Sequence, residues 1–213
     1  MTSVQSLIEE ESTCIAFLKH QQKNIYAPNL KVTASMIMKK YAQVLSFSVL
    51  DSMVRGGKSK IIPLSACYIS EDLDIQVDSL QITYTDSRLE VWEEFFTHHL
   101  FPLLNVFHNV TNLPLIILWE NIAVRINSFF RKAMDRHPDH QQKIVHLAEE
   151  MNQLDGSYFN SVKHPMSTYL TAPKSLGEHK TRCTCCYFHK LEKKKEKLTH
   201  CLVCPLGNQN CSS

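Results

Sequence analysis

The sequence predicts an α+β fold, mostly helical, with a small antiparallel sheet and an irregular C-terminal segment. Three features of the 213 residues predict it. Apolar residues recur at three- and four-residue steps on both sides of the chain's middle, the period of a helix laying one face on a core. From Lys60 to Thr85 the period drops to two, as in strands with one buried face. Beyond Asn152 both periods fade, and five of the eight cysteines fall within Cys183–Cys204.

In chain order, Val4, Leu7, Ile8, Ile15 and Leu18 predict a short first helix. Leu30, Ala34, Ile37, Met38, Tyr41, Leu45 and Val49 predict a longer one that ends at Arg55-Gly56-Gly57. Ile62, Leu64, Ala66 and Tyr68 alternate as a strand. Leu73, Ile75 and Val77, then Leu80, Ile82 and Tyr84, alternate as two more, with a phase shift at Asp78-Ser79 that implies a bulge or tight turn. Ser87-Arg88-Leu89-Glu90 fits a capping box ahead of Val91, Trp92, Phe95, Phe96 and Leu100, in a helix that Pro102 should kink or end. Leu115, Leu118, Trp119, Ile122, Ala123, Ile126, Phe129 and Phe130 cover so much of a helix from Leu113 to Met134 that it should be the buried central one. Pro138-Asp139 opens a shorter amphipathic helix through Met151, and Thr168 to Thr171 is strand-like. Residues 1–178 form the α+β body in this reading, and 179–213 a cysteine-rich appendage.

A chain this long buries a core without crosslinks, so the clustered cysteines are not staples and indicate a reducing compartment. Cys14 and Cys67 fall in apolar patterns and are read as small core residues. No signal-peptide pattern opens the sequence, since Glu9-Glu10-Glu11 stands where an apolar run would be needed. The most apolar stretch, Leu113 to Trp119, is far short of the roughly 20 residues of a membrane span. A cytoplasmic protein without an integral membrane segment is expected. The net charge of +2 gives no argument for nucleic acid, although Lys180 to Lys197 holds seven basic residues against two acidic ones, a local excess of +5. No Gly-rich phosphate loop or dinucleotide fingerprint is present, so flavin or nicotinamide is not expected to bind directly.

The vicinal pair Cys185-Cys186 and the chelating turn Cys201-Leu202-Val203-Cys204 together supply four thiols, a full set for one tetrahedral zinc or, two per iron, for a [2Fe-2S] cluster. Neighbouring side chains diverge, so the pair can serve one centre only if the backbone there is bent. Cys183 and Cys211 are spare sulfurs. His189 and His200 flank the site, but four suitable cysteines make a mixed His/Cys set unnecessary. His98, His99 and His108 lie in an aromatic helical region, where packing or hydrogen bonding is the expected role.

Cys185-Cys186, fourteen residues, then Cys201-Leu202-Val203-Cys204-Pro205 resembles the C-terminal signature of the FhuF-type ferric siderophore reductases, in which a vicinal pair and a later Cys-x-x-Cys hold a [2Fe-2S] cluster. Arg182 before the pair, Tyr187 and Phe188 after it, and Leu118-Trp119-Glu120-Asn121 on the central helix are similar to that family too. The spacer here is longer than usual and rich in lysine from Lys193 to Lys197. That family is similar in turn to the C-terminal domain of the IucA/IucC siderophore synthetases.

The resemblance implies a siderophore-binding body, residues 1–178, and a C-terminal [2Fe-2S] segment, residues 179–213. Cys185, Cys186, Cys201 and Cys204 would hold the cluster and pass one electron to a ferric siderophore, which releases Fe(II). Anionic siderophores would be met by Arg125 and Arg131 on the central helix and by Arg182 from the cluster side. The electron donor would be a ferredoxin-like or flavodoxin-like protein docking on the lysine-rich loop. Two other readings stand beside this one: an interaction or scaffold protein with a structural four-cysteine zinc site, and a siderophore-binding domain without redox activity.

Overall fold

The computed structural model describes residues 1–191 and 200–206. Lys193, Lys194, Lys195, Lys197 and Cys211 lie outside the described residues. The fold is α+β and mostly helical, as the periodicity predicts. Among the described residues no helix is long and apolar enough to cross a membrane.

Two short helices, α1 (Val4–Glu9) and α2 (Glu11–Asn24), replace the single first helix, because Glu10 takes an extended conformation between them. The long α3 (Leu30–Arg55) starts where the Asn29 side chain accepts from Val32 N at 3.1 Å. It stops at Gly56, whose φ of 93° suits glycine. The central helix is α6 (Leu115–Arg136), with Pro114 at its N-cap and eleven buried residues that include Glu120 and Asn121. It packs most extensively against α3, with Phe47 meeting Phe129 edge-on at 5.3 Å.

The strands form two small antiparallel sheets rather than one. Strands β1 (Thr2–Ser3), β3 (Cys67–Ile69) and β4 (Ile75–Val77) make the first, and β2 (Ser59–Ile61) pairs with β5 (Thr83–Thr85) in the second. Pro63 and a 3₁₀ turn at Leu64–Ala66 interrupt the predicted strand from Ile62 to Tyr68. The phase shift at Asp78-Ser79 is a 3₁₀ turn, held by the Asp78 carboxylate accepting from Leu80 N at 3.0 Å.

After Ser87 the chain forms α4 (Arg88–Trp92), a π-helical stretch Glu93–Leu100 and α5 (Phe101–Thr111) without a break. Half of the predicted capping box is present, since Ser87 Oγ accepts from Glu90 N at 3.3 Å. Glu90 instead takes the Thr85 hydroxyl at 2.6 Å, and that hydroxyl accepts from Ser87 N. Pro102 does not end the helix. The Phe101 N–H already reaches back five residues to Phe96 O, and this wider π spacing accommodates a residue that has no N–H to give. A 3₁₀ turn at Pro138–His140 and α7 (Gln141–Gln153) follow. Thr168–Thr171 is not a strand: Asn127 on α6 donates to Tyr169 O and accepts from Thr171 N, both at 2.8 Å, supplying from a side chain what a neighbouring strand would.

Cys14 and Cys67 are core residues with no exposed surface, and burial pushes their thiols up to about 12 and about 11. Of the three histidines, His98 pairs with Glu93 at 3.7 Å and His108 donates to Leu113 O at 2.8 Å. His99 is fully buried; its Nδ1 donates to Ile62 O at 2.7 Å, which leaves Nε2 to accept the Tyr41 hydroxyl. Burial lowers His99 from 6.5 to about 4. The unfolded chain therefore takes up the proton first. This contribution to stability is complete above pH 6.5 and is lost as pH falls towards 4, to the extent of roughly 3 kcal/mol. Urea titrations at pH 7 and pH 5 should show about 2 kcal/mol of that loss, and His99→Gln should flatten it. Tyr41→Phe, which strands the Nε2 lone pair, should cost about 1–3 kcal/mol at pH 7.

Candidate metal and electron-transfer site

A buried polar clamp fixes the first cysteine motif to the central helix. Glu120, 1 % exposed on α6, accepts from Cys183 N at 2.6 Å, Thr184 N at 2.8 Å, the Thr184 hydroxyl and Arg182 Nη2 at 3.3 Å. Arg182 is equally buried and donates also to Asn121 Oδ1 at 2.8 Å and Thr184 O at 3.0 Å. Asn121 continues to Ser35 on α3 at 3.0 Å, and Ser35 Oγ donates to Cys186 O at 2.9 Å. Each charge thus meets its complement, the condition under which a buried ion pair persists. A small apolar cluster of Leu191 with Ala27 and Val32 attaches the same segment near the start of α3. The body of the protein thus holds the described part of this segment through both polar and apolar contacts.

The chain bends on either side of the vicinal pair, at Cys183-Thr184 and at Tyr187. Tyr187 follows it at φ 64°, in the left-handed region, and turns the chain so that its N–H points at Cys185 Sγ, 3.3 Å away. The second motif closes its own turn with Cys204 N on Cys201 O at 3.0 Å. It is drawn to the first by Arg182 N on Val203 O at 2.9 Å.

Cys186 and Cys201 come together with sulfurs 3.7 Å apart. Thiolates about 2.3 Å from one tetrahedral ion are about 3.8 Å apart, so this contact matches one edge of a tetrahedron. Cys185 lies within electrostatic reach of Cys186 and Cys204, as Cys201 does of Cys186 and Cys204. Among the described residues, however, no group of three or more His, Cys, Asp or Glu side chains is arranged to hold a metal ion as it stands. The four sulfurs are a donor set of the right kind with one edge formed, and Lys39 Nζ, 3.3 Å from Cys186 Sγ, and the Tyr187 amide are already aimed at it. Such donors accompany metal-bound thiolates. Cys183 is exposed, and it is held through its backbone.

The hydrogen bond between the two sulfurs lowers the Cys186 thiol, and Lys39 and Arg182 lower it further; the same hydrogen bond and burial raise Cys201. Burial raises Cys185 and lowers Lys39 and Arg125. His189 Nδ1 approaches Cys185 Sγ at 3.5 Å and its ring stacks on that of His200.

Arg125, Arg131 and Arg182 all line one cavity of about 240 Å³ that opens beside Cys201, together with Lys39 and Lys180. Glu178 is the acidic member among its described lining residues. Arg182 is occupied in the clamp, and Arg125 Nε holds Lys39 O at 3.2 Å. Sequence reasoning assigned no role to Ser35 and Lys39. The available signal was their i, i+4 spacing among the buried residues of α3. Compared with family models, with curated proteins and with solved structures, the chain matches none.

Proposed function

We propose that this protein is a ferric-siderophore reductase in which Cys185, Cys186, Cys201 and Cys204 hold a [2Fe-2S] cluster. The observation that carries the reading is the 3.7 Å approach of Cys186, from the vicinal pair, to Cys201, from the Cys-x-x-Cys turn, with Cys201 on the wall of a cavity lined by Lys39, Arg125, Arg131 and Lys180. A cluster held there would supply a one-electron carrier, and Fe(III) bound by hard oxygen donors loosens on gaining that electron. The protein's own task is to bind and orient. The cavity is smaller than the roughly 300–1,000 Å³ of sites that enclose a small molecule, so it suits one anionic face of a larger complex. Arg125 and Arg131 would receive that face, and Glu120, Arg182 and Asn121 would keep the sulfurs in register with it. The donor would be a ferredoxin-like or flavodoxin-like protein, for which Leu202, 82 % exposed between Cys201 and Cys204, is a contact at the edge of the site.

In the test, chemically reduced protein is mixed anaerobically with a ferric citrate-hydroxamate. Reoxidation with Fe(II) appearing in a ferrous chelator is expected, and apoprotein should give none. Arg125→Gln or Arg131→Gln should raise the half-saturating siderophore concentration about tenfold or more, since a hydrogen bond to a charged group contributes about 1.5–3 kcal/mol. Protein that stays reduced through hydroxamates, citrate-hydroxamates and catecholates would contradict the reductase reading. The 3.7 Å sulfur contact suits a structural zinc equally well, and a scaffold protein with a four-cysteine zinc site is the second reading.

A further inference from the structure

Lys39 sits where the sulfur site meets two cavities. Its ammonium lies 3.3 Å from Cys186 Sγ and 5.1 Å from the centre of the Phe188 ring, and the residue is 8 % exposed. It lines the 240 Å³ cavity beside Cys201 and also a second cavity of about 400 Å³, bordered by Tyr26, Met36 and Leu191. Arg125 and Phe188 line both as well. Lys39 thus borders both spaces while its ammonium faces the sulfur.

We propose that Lys39 couples ligand binding to electron affinity, its ammonium being shared between the Cys186 sulfur and an anionic ligand in the adjoining cavity. This rests on the reductase reading and deepens it. A positive charge this close to a sulfur ligand favours the state with one more electron, and does so strongly where little water screens it. A bound anion offsets that charge. The empty protein therefore keeps its electron, and the protein loaded with substrate gives it up more readily. Electrons are released where a ferric complex is present to take them. Lys39 is a positioning residue in this scheme, acting on the electron through Cys186.

The test is the reduction potential of the holoprotein, followed by its visible spectrum, with and without Ga(III)–citrate, an anionic complex whose metal does not take the electron. Wild type should fall by at least 59 mV at saturation, a tenfold change in electron affinity for a one-electron couple. Lys39→Met should start at a lower potential and respond less, with an unchanged oxidised spectrum, and Lys39→Arg should behave as wild type. An unmoved wild-type potential overturns the inference without recourse to any variant, and so does an equal response in wild type and Lys39→Met. Purified protein without iron or an iron-sulfur spectrum removes the reductase reading and this one together, whereas an intact cluster with an indifferent potential removes this one alone.

Discussion

Cys186→Ser is expected to abolish the visible absorbance of the anaerobically purified protein. Cys186 stands at the centre of the sulfur site: its sulfur receives Lys39 Nζ and lies 3.7 Å from Cys201 Sγ, and its carbonyl receives Ser35 Oγ from α3. Serine would offer a harder, shorter ligand on a residue whose backbone cannot shift to compensate. Cys185→Ser, Cys201→Ser and Cys204→Ser should bleach or strongly alter the spectrum for the same reason. Cys183→Ser should leave it intact, because that residue takes part through its backbone N–H, which serine retains. Loss of colour in Cys183→Ser with colour kept in Cys185→Ser would assign the ligands differently.

The second large effect concerns Glu120. Glu120→Ala removes the acceptor of four donors and leaves the fully buried Arg182 guanidinium without its carboxylate. Removing one partner of such a pair costs about 3–5 kcal/mol, mostly because the other charge remains out of water. Urea denaturation should show that loss. Hydrogen exchange should quicken at the Cys183 and Thr184 amides, which bond directly to Glu120. Glu120→Gln should rescue little, since its amide NH₂ would face N–H donors. The double variant Glu120→Leu, Arg182→Met should be less destabilised than the sum of the singles, because neither charge is then stranded. Additive losses would mean that the pair is not coupled.

Local features of the chain were legible where one residue has one physical meaning. Gly56 ends α3 because a glycine that reverses φ acts within its own turn. Pro102 does not end the helix because its effect depends on the hydrogen-bond spacing of the turn before it, which became π. Thr168–Thr171 was misread because its partner is the side chain of Asn127, more than forty residues earlier. The site divides in the same way. Spacing marks Cys185, Cys186, Cys201 and Cys204, but the residues that steer them come from α3 and α6. Lys39 is 147 residues from Cys186, and Ser35 is 151. Contacts at that separation are made by packing α3 on α6, and no local pattern encodes them.

The central claim is most directly tested by metal and sulfide analysis with a visible spectrum on protein purified without oxygen. The account predicts a reddish-brown protein with iron and acid-labile sulfide in equal amounts, whose colour bleaches on reduction and returns when a ferric siderophore is added. A colourless protein carrying zinc and no sulfide would contradict it.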